Sequence, residues 1–254
     1  MSPTTVLITG ANRGLGRALA EAYLSRPDHV VIGSVRDESS ESAASLKAFK
    51  PASGSRVIIV KIANDSDTDP AAAVETIKAA GVSSLDIVIA NSGISGNFSR
   101  LEGVNINDFK EFFEVNTYSI MRLFIAVYPL LKAAADAKGP GSPKFIAIST
   151  VASRIAKLEE NVPFLLGSYG ASKAAVNYIV RRAHAENDWL QAFLLEPGVI
   201  QTDMGNTSCQ FFGWPGAPLK VSDSVEGLLK LIDGSSREAT SGKFFDYLGV
   251  EQGW

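Results

Sequence analysis

The chain has 254 residues, of which 46% are hydrophobic and 20% are charged, and its formal net charge is −3. These proportions allow a sizeable buried core, and the scattered charges argue against a nucleic-acid surface or a polybasic membrane patch. One cysteine, Cys209, and two histidines exclude an internal disulfide and a thiolate metal cluster and argue against a histidine-rich zinc site, so no metal site is predicted.

The N-terminal residues lead directly into an apolar, β-branched segment at residues 5–8, without the basic region and apolar run of a secretion signal. No window of the chain reaches 18 uninterrupted apolar residues. The sequence therefore predicts a cytoplasmic protein without a membrane segment.

Short apolar segments alternate along the whole chain with segments of helical periodicity, such as the apolar stripe from Leu15 to Tyr23. This alternation predicts a parallel sheet with helices on both faces, and no change in composition marks a domain boundary. We therefore predict a single-domain, Rossmann-like α/β fold over residues 1–254, with a doubly wound parallel sheet of about seven strands. The predicted strands are residues 6–9, 30–35, 57–62, 87–91, 145–149, 192–196 and 243–247.

A glycine-rich turn follows the first predicted strand and precedes a predicted helix. Residues 9–16 read Thr-Gly-Ala-Asn-Arg-Gly-Leu-Gly. Glycines in this context let backbone N–H groups approach a pyrophosphate, and the helix N-terminus favours its negative charge. The turn is therefore predicted to bind a dinucleotide cofactor through Gly10, Asn12, Arg13, Gly14, Leu15 and Gly16.

The residue at the end of the second strand distinguishes the two nicotinamide cofactors. Arg36 stands 20 residues after Gly16, and Arg13 lies inside the turn. Two guanidinium groups can hold a 2′-phosphate through charge-assisted, bidentate hydrogen bonds, which favours NADP(H). Asp37 follows and could instead bind the ribose 2′-OH of NAD, and either arginine could be a solvated surface charge.

A tyrosine and a lysine stand four residues apart in the segment Tyr-Gly-Ala-Ser-Lys at residues 169–173. On a helix, Tyr169 and Lys173 share one face. A nearby ammonium stabilises phenolate, so we predict that Lys173 lowers the tyrosine pKa from its usual value of about 10. Tyr169 would then donate or accept a proton near neutral pH.

Together, these motifs resemble the short-chain dehydrogenase/reductase family, and the resemblance runs almost from end to end. The family's pattern Thr-Gly-x-x-x-Gly-x-Gly is complete at residues 9–16, and its Tyr-x-x-x-Lys pair stands at Tyr169 and Lys173. Its Asn-Asn-Ala-Gly motif is similar to Ala-Asn-Ser-Gly at residues 90–93, with two of four letters replaced. Its Pro-Gly with a following Thr-Asp is similar to residues 197–203.

The resemblance implies carbonyl chemistry and assigns roles to three polar side chains. Tyr169 would transfer the proton, and Lys173 would bind the nicotinamide ribose hydroxyls. Asn116, at the position of the family's helix asparagine, would hold a water molecule of a proton relay. A structural role for Asn116, in which its buried amide satisfies backbone groups, stays open.

A fourth role in the family belongs to the second serine of a Ser-Ser pair, whose hydroxyl binds the substrate oxygen. In the register of the preceding strand, Thr150 falls on that position, and threonine keeps the hydroxyl donor. Ser149 is the second candidate for this role, and Ser153 is the third.

The resemblance also extends the cofactor site. Asn91 would support the adenosine ribose, and Val199 and Thr202 would line the nicotinamide. Alanine replaces the aspartate that the family places after the third strand, so Asn64 or the Ala63 backbone would contact the adenine. The predicted cofactor residues outside the glycine turn are Arg36, Asn64, Asn91, Gly93, Tyr169, Lys173, Val199 and Thr202.

Two segments are predicted to border the substrate site. The 19-residue separation between Thr150 and Tyr169 is longer than is typical of the family, and residues 156–163 would lie at the mouth of the site. Residues 203–222 are predicted to form a substrate loop, since residues 209–218 are apolar, aromatic and rich in glycine and proline. An apolar contact in an oligomer is the alternative for this loop.

The residues and the resemblance together predict NADPH-dependent reduction of a ketone to a secondary alcohol. The apolar loop, and a tail at residues 242–254 that is similar to a branch of fungal ketoreductases, favour a bulky, aromatic, polyketide-type substrate. An NAD-dependent alcohol dehydrogenase and a non-catalytic NADP(H)-binding sensor or scaffold are the alternatives. The expected partners are a small-molecule ketone or alcohol and, from the resemblance, further copies of the chain in a dimer or tetramer, with no nucleic acid and no membrane.

Overall fold

A computed structural model describes residues 3–254, so the first two residues of the predicted 1–254 unit lie outside the described residues. The strands are β1 (Thr4–Ile8), β2 (His29–Val35), β3 (Arg56–Lys61), β4 (Ile87–Ala90), β5 (Lys144–Ile148), β6 (Gln191–Glu196) and β7 (Phe244–Asp246). The α-helices are α1 (Gly14–Leu24), α2 (Glu41–Lys47), α3 (Asp69–Ala79), α4 (Ile106–Phe113), α5 (Ser119–Lys138), α6 (Leu158–Asn161), α7 (Gly167–Glu186), α8 (Asp203–Phe211) and α9 (Val221–Gly234).

The seven strands form one parallel sheet in the order β3-β2-β1-β4-β5-β6-β7. Each predicted strand is present, with boundaries that differ by no more than two residues from the prediction. The predicted Rossmann-like, doubly wound sheet is therefore confirmed.

Helices cover both faces of the sheet, and each face has its own apolar core. Leu7 points to the core that contains α3, α5 and α7, whereas its neighbours Val6 and Ile8 point to the core of α1 and α9. Successive strand residues are buried on opposite faces, which explains why the strands read as continuous apolar runs rather than as an alternating pattern.

The strand order reverses between β1 and β4. Ile8 of β1 lies opposite Gly33 of β2 on one side and Ile89 of β4 on the other. The connections that leave these strands run in opposite directions, so a crevice opens at their carboxyl ends. Ligands of doubly wound sheets bind in such a crevice. The glycine turn after β1 lies at this position.

The predicted substrate loop at residues 203–222 is wrong in its first half, where α8 forms, and its end already belongs to α9. Thr202 caps α8, because its hydroxyl oxygen accepts a hydrogen bond from Gly205 N at 3.2 Å, and Asp203 adds a favourable charge to the first turn. Gly213, with a positive φ of 78°, then ends the helical course. None of the helices in residues 3–254 combines the length and hydropathy of a membrane-spanning segment.

Candidate active site

The glycine turn is built so tightly that larger residues would not fit. Gly10 and Gly14 have φ values of 67° and 56°, in the left-handed region that favours glycine. A Cβ on Gly16 would collide with the carbonyl oxygen of Gly10 and lie 2.5 Å from Asn91 Nδ2. A Cβ on Gly14 would meet Thr202 Cγ2 at 3.4 Å, so the turn faces the segment that precedes α8.

The other turn residues are held by different elements. Leu15 is buried in the core beneath α1, and Asn12 Nδ2 lies 3.3 Å from Ser42 Oγ of α2. Arg13 is exposed, and its Nη1 lies 3.3 Å from Asp203 Oδ2. The guanidinium predicted to bind a 2′-phosphate therefore forms an ion pair with the first residue of α8.

Arg36 is exposed as the first residue after β2, at the carboxyl edge of the sheet. The alternative cofactor residue, Asp37, uses its carboxylate in a local turn. Asp37 Oδ1 accepts hydrogen bonds from Ser39 Oγ at 2.6 Å and Ser39 N at 2.9 Å. These two bonds hold the pKa of Asp37 below its usual range. This geometry favours Arg36 over Asp37 as the residue that would meet the ribose.

The ends of β1 and β4 are joined by polar side chains at the bottom of the crevice. Thr9 Oγ1 accepts hydrogen bonds from Asn91 N at 3.0 Å and Ser92 N at 3.1 Å, and Asn91 Nδ2 donates to Thr9 O at 2.9 Å. Ser92 Oγ lies 3.0 Å from Asn64 Oδ1. Asn91 thus lies next to the glycine turn, and Asn64 lies beside Ser92. Their contacts with the adenosine stay predictions.

The backbone N–H of Ala63 already has a hydrogen-bond partner within the protein. Its N–H donates a hydrogen bond to Asp69 Oδ2 at 2.9 Å. This bond is the largest cause that holds the pKa of Asp69 below its usual range. The Ala63 N–H is thus engaged within the protein, and the adenine contact through Asn64 or the Ala63 backbone stays a prediction.

Asn116 is fully buried in a π-helical turn, Glu114–Tyr118, between α4 and α5. Its Oδ1 accepts from Ile94 N at 2.8 Å, and its Nδ2 donates to Ile94 O at 3.0 Å and to Ser172 Oγ at 3.1 Å. Both N–H groups of the Asn116 amide therefore donate to protein groups, as expected if the role of Asn116 is structural. A Cβ on Gly93 would lie 2.9 Å from Asn116 Oδ1, so Gly93 allows this packing. The relay role of Asn116 stays a prediction.

Lys173 is buried on the same face of α7 as Tyr169. Its Nζ donates a hydrogen bond to Ile148 O, the last carbonyl of β5, at 2.9 Å. Burial lowers the pKa of Lys173 to about 8. The side chain is therefore mostly protonated at neutral pH and keeps two further N–H donors for the crevice.

Tyr169 lies beside Thr150 and packs edge-to-face against Phe112, with ring centroids 6.3 Å apart. Burial raises the pKa of Tyr169 to about 12, a hydrogen bond with the Thr150 side chain opposes this shift, and the charge of Glu196 adds to it. The prediction that Lys173 lowers this pKa is wrong for the protein alone: burial of the phenol raises the pKa, and the opposing contribution comes from Thr150 rather than from Lys173. Tyr169 is consequently a protonated phenol at neutral pH.

The three candidate hydroxyls differ in direction. Thr150 follows β5 in an extended conformation, with φ −157° and ψ 153°, and its hydroxyl meets Tyr169. Ser149 and Ser153 are buried, and both hydroxyls lie within hydrogen-bond distance of Asn177. The structure thus brings Thr150 together with Tyr169 and turns the two alternatives away from it. Asn177 was missed by the sequence analysis, although it stands one turn after Lys173 on the same helix face.

The segment after β6 closes the other side of the crevice. Val199 is 42% exposed, and Thr202 stands at the start of α8 opposite Gly14. Cys209 is buried in α8, and burial raises the pKa of its thiol. The thiol is therefore an interior small side chain rather than a reactive group on the surface.

An aromatic cluster joins α8 and the residues after it to two other segments. Phe212 packs against Phe98 at 5.0 Å, Phe164 at 5.6 Å and Phe211 at 5.1 Å between ring centroids. Phe98 also packs against Phe211 at 4.5 Å, and Phe164 against Trp214 at 6.1 Å. Phe98 and Phe164 were missed, because no local pattern distinguishes a phenylalanine of this cluster from one of the core.

The residues of the crevice fit a dinucleotide cofactor. The glycine turn leaves a cradle where a side chain on Gly14 would meet Thr202, and the N-terminus of α1 points its free N–H groups into it. Arg36, Asn64 and Asn91 surround the same edge of the sheet. Fold and site together define an α/β protein of the dinucleotide-binding type.

Comparison with known proteins agrees with this class. The family model described as short chain dehydrogenase matches residues 4–210. The chain therefore belongs to the short-chain dehydrogenase family.

Curated relatives place the chain with fungal ketoreductases. It is 41% identical to the norsolorinic acid ketoreductase of Dothistroma septosporum over 95% of this chain and 88% of the relative. It is 40% identical to a short-chain dehydrogenase of Neurospora crassa over 99% of this chain and 98% of the relative. The norsolorinic acid ketoreductase of Aspergillus parasiticus is 40% identical over 95% of this chain and 87% of the relative. These matches confirm the resemblance to the ketoreductase branch.

Solved structures show the same fold. The NADPH-bound carbonyl reductase from chicken fatty liver superposes with a TM-score of 0.87 at 27% identity, covering 100% of this chain and 95% of the other. A short-chain dehydrogenase/reductase from Burkholderia multivorans with bound NADP has a TM-score of 0.80 at 26% identity, covering 99% and 100%. These findings support an oxidoreductase that acts on C=O or CH–OH groups of a small molecule and point to a nicotinamide cofactor.

Proposed function

We propose that the protein uses NADPH to reduce a bulky aromatic, polyketide-type ketone to a secondary alcohol. The observation that carries this proposal is the close approach of the Thr150 and Tyr169 side chains at the end of β5, beside the buried Lys173. Two hydroxyl donors and an ammonium at one point of a dinucleotide crevice suit a reaction in which a carbonyl oxygen gains negative charge.

NADPH, when bound, supplies a hydride to the carbonyl carbon. As the oxygen gains charge, Tyr169 donates its proton to it, and the high pKa of this residue keeps the phenol protonated beforehand. The Thr150 hydroxyl hydrogen-bonds the same oxygen and polarises the carbonyl group. Lys173 anchors one N–H on Ile148 O and offers its other donors to the nicotinamide ribose.

The preference for NADPH over NADH rests on Arg36. Its side chain is exposed where the ribose of a bound dinucleotide would lie, and Asp37 is engaged by Ser39. The side chain that is free to meet the ribose is thus a cation, which suits a 2′-phosphate, and not a carboxylate, which would bind a 2′-OH. Arg13 would add a second charge after leaving its exposed ion pair with Asp203, which contributes little stability.

The aromatic substrate class rests on the cluster around Phe212. Its rings are partly exposed and come from α8, from the segment before α7 and from the segment after β4. Flat aromatic ligands stack favourably on such rings. The relatives named norsolorinic acid ketoreductases support the same class.

We also propose that residues 1–254 act as one catalytic unit in a homo-oligomer. Both motifs of the site attach to a single sheet. On α5 and the π turn before it, Tyr118, Met121, Ile125 and Tyr128 form an exposed apolar stripe with helical spacing. Such a stripe is typical of a surface that another protein chain covers.

The test is NADPH oxidation, followed by its near-ultraviolet absorbance, with a panel of aliphatic, monocyclic and polycyclic aromatic ketones. We expect wild-type turnover with the aromatic ketones, and a loss of kcat of about 100- to 10,000-fold in Tyr169→Phe with unchanged NADPH binding. Tyr178→Phe, on an exposed tyrosine of the same helix, is the matched control and should keep full activity. If Tyr169→Phe retains more than roughly a tenth of kcat, Tyr169 is not the acid.

A further inference from the structure

Asn177 joins two buried serines at the carboxyl end of β5. It lies on the face of α7 that carries Tyr169 and Lys173, and its side chain is buried. Its Oδ1 accepts a hydrogen bond from Ser149 Oγ at 2.6 Å, and its Nδ2 donates to Ser153 Oγ at 2.9 Å. The two serine oxygens are 3.1 Å apart.

The donors and acceptors of this network are fixed by one further bond. Ser153 Oγ donates its single hydrogen to the carbonyl oxygen of Thr150 at 2.6 Å. It must therefore accept from Asn177 Nδ2, which leaves Asn177 Oδ1 as the acceptor for Ser149. The orientation of the Asn177 amide is thus determined by the hydrogen bond to Thr150.

The network holds Thr150 from both sides along the chain. Ser149 precedes it and is also bound through its N–H to Leu195 O of β6 at 2.8 Å. Ser153 follows it and holds its carbonyl oxygen. The fixed backbone sets the direction of the Thr150 Cα–Cβ bond. The hydrogen bond that Thr150 Oγ1 accepts from Ala152 N at 3.2 Å, in the same turn that Ser153 closes, then selects the rotamer of its hydroxyl.

The three residues of α7 that face β5 therefore contact successive parts of the strand end. Lys173 binds the carbonyl of Ile148, Asn177 binds Ser149 and Ser153, and Tyr169 meets the hydroxyl of Thr150. Burying three polar side chains is unfavourable compared with apolar packing unless every group is paired. Here each of the three side chains has a partner at the strand end, and these partners lie at Thr150 or next to it along the chain.

We infer that Asn177 is a positioning residue that acts through Ser153 and Ser149 to aim the Thr150 hydroxyl at the substrate oxygen. The inference rests on the proposed function of Thr150. A misplacement of about 1 Å in a reacting group can reduce turnover by about 100-fold. Loss of the network should therefore reduce kcat while leaving the cofactor and ketone surfaces intact.

The experiment compares NADPH-saturated wild type with Asn177→Leu, which keeps the shape of the side chain and removes its polar atoms. We expect kcat for an aromatic ketone of the wild-type panel to fall roughly 10- to 100-fold, with KM and the NADPH Kd changed less than about 2-fold. Ser153→Ala, a smaller change, should show the same pattern if Asn177→Leu folds poorly. Thr5→Val is the matched control, since it removes a buried hydroxyl at the opposite edge of the sheet.

A double-mutant cycle with Thr150→Val shows whether Asn177 acts through Thr150. In that background, Asn177→Leu should produce no further loss of kcat, because the hydroxyl that it positions is already absent. An equal loss of kcat in both backgrounds would overturn the inference. An unchanged kcat with only a lower Tm would also overturn it, because Asn177 would then be structural.

Methyl NMR of threonine-labelled protein separates this inference from the proposed function. The Thr150 methyl signal, assigned by its disappearance in Thr150→Ser, should move or split in Asn177→Leu and stay in place in Thr5→Val. If wild type reduces no ketone of the panel, the proposed function fails. The Thr150 methyl signal then still shows whether Asn177 positions Thr150. An unchanged Thr150 signal in Asn177→Leu contradicts it in either case.

Discussion

Arg36 is the exposed side chain on which the proposed preference for NADPH rests. Arg36→Asp replaces a cation that suits a 2′-phosphate with a carboxylate that repels it and accepts from a 2′-OH. We expect the ratio of kcat/KM for NADPH to that for NADH to fall by about 10- to 100-fold, as for the loss of one charged contact. Steady-state kinetics with both cofactors measure this ratio.

Arg56→Asp provides the control for this change of charge. Arg56 is exposed at the start of β3, at the opposite edge of the sheet from the crevice. The same two-unit change in net charge there should leave the ratio as it is in wild type. An unchanged ratio in Arg36→Asp would remove the basis for the NADPH preference.

Glu196 is a buried carboxyl group at the end of β6. Burial raises its pKa to about 7, the neighbouring Asp246 of β7 adds to the shift, and Arg154 opposes it. A folded pKa above the unfolded value means that the folded state holds the proton more tightly. The resulting stability is present below the unfolded pKa, near 4.5, and is lost as the pH rises through about 7.

We therefore expect Glu196→Gln to remove a pH dependence of folding. The free energy of unfolding of wild type, relative to Glu196→Gln, should fall by on the order of 3 kcal/mol between about pH 4.5 and pH 8. Urea unfolding at several pH values measures this difference. Glu226→Gln, on an exposed residue of α9, should show a difference that stays constant. A constant difference for Glu196→Gln as well would contradict the prediction.

At the level of elements, the strands were predicted from sequence and α8 was missed. Runs such as Val6-Leu7-Ile8 are buried on both faces of the sheet. An uninterrupted apolar run in the sequence indicates this kind of burial directly. Residues 203–222 were interpreted as a loop because glycine, proline and aromatic residues dominate their second half. The Thr202-Asp203 pair that starts α8 is an N-cap signal that could have been recognised.

The candidate site was predictable where a motif carries it and not where burial or distant segments decide. Thr150 and Tyr169 meet because α7 packs beside β5, as the register of the strand indicated. The raised pKa of Tyr169 follows from its burial in the folded chain. The four-residue spacing of Tyr169 and Lys173 does not show how deeply the phenol is buried. The role inferred for Asn177 depends on its contacts with Ser149 and Ser153, which are distant from it in the sequence.

The proposed aromatic substrate class depends on the aromatic cluster that joins α8 and the residues after it to two other segments. Phe212 is its centre, since it packs against Phe98, Phe164 and Phe211. Phe212→Ala removes these contacts, each contributing about 0.5–1.5 kcal/mol. We expect KM for a polycyclic aromatic ketone to rise about 10-fold, while kcat/KM for a small aliphatic ketone changes little.

Phe109→Ala is the control for this prediction, because Phe109 stacks on Phe113 at 4.9 Å and makes no contact with α8 among the described ring pairs. Both variants lose an aromatic side chain, but only Phe212→Ala removes a ring of the aromatic cluster. Steady-state kinetics with the two ketones distinguish them. Equal effects of Phe212→Ala on both ketones would show that the cluster stabilises α8 without selecting the substrate.

At the level of the whole molecule, one face of α5 is packed against the sheet, and the other exposes apolar side chains that none of the described residues covers. Leu123, Val127 and Leu131 of α5 are buried against the sheet, whereas Met121 and Ile125 are exposed between them. A helix that is apolar on most of its surface is usually buried on both sides. A second copy of the chain would supply the missing side and extend the apolar core across the contact.

Ile125→Glu tests this assembly, because it places a charge at the middle of the exposed stripe, where desolvation without a partner is unfavourable. We expect wild type to have the mass of a dimer or tetramer in size-exclusion chromatography with light scattering, and Ile125→Glu to shift toward the monomer. Leu248→Glu is the matched control, since Leu248 is 71% exposed and Ile125 62%, but it lies outside the stripe. A monomeric wild type would contradict the oligomer, and an oligomeric Ile125→Glu would move the contact to another surface. Because α5 begins directly after the π turn that holds Asn116, assembly through this face would also brace the helix pair behind Tyr169.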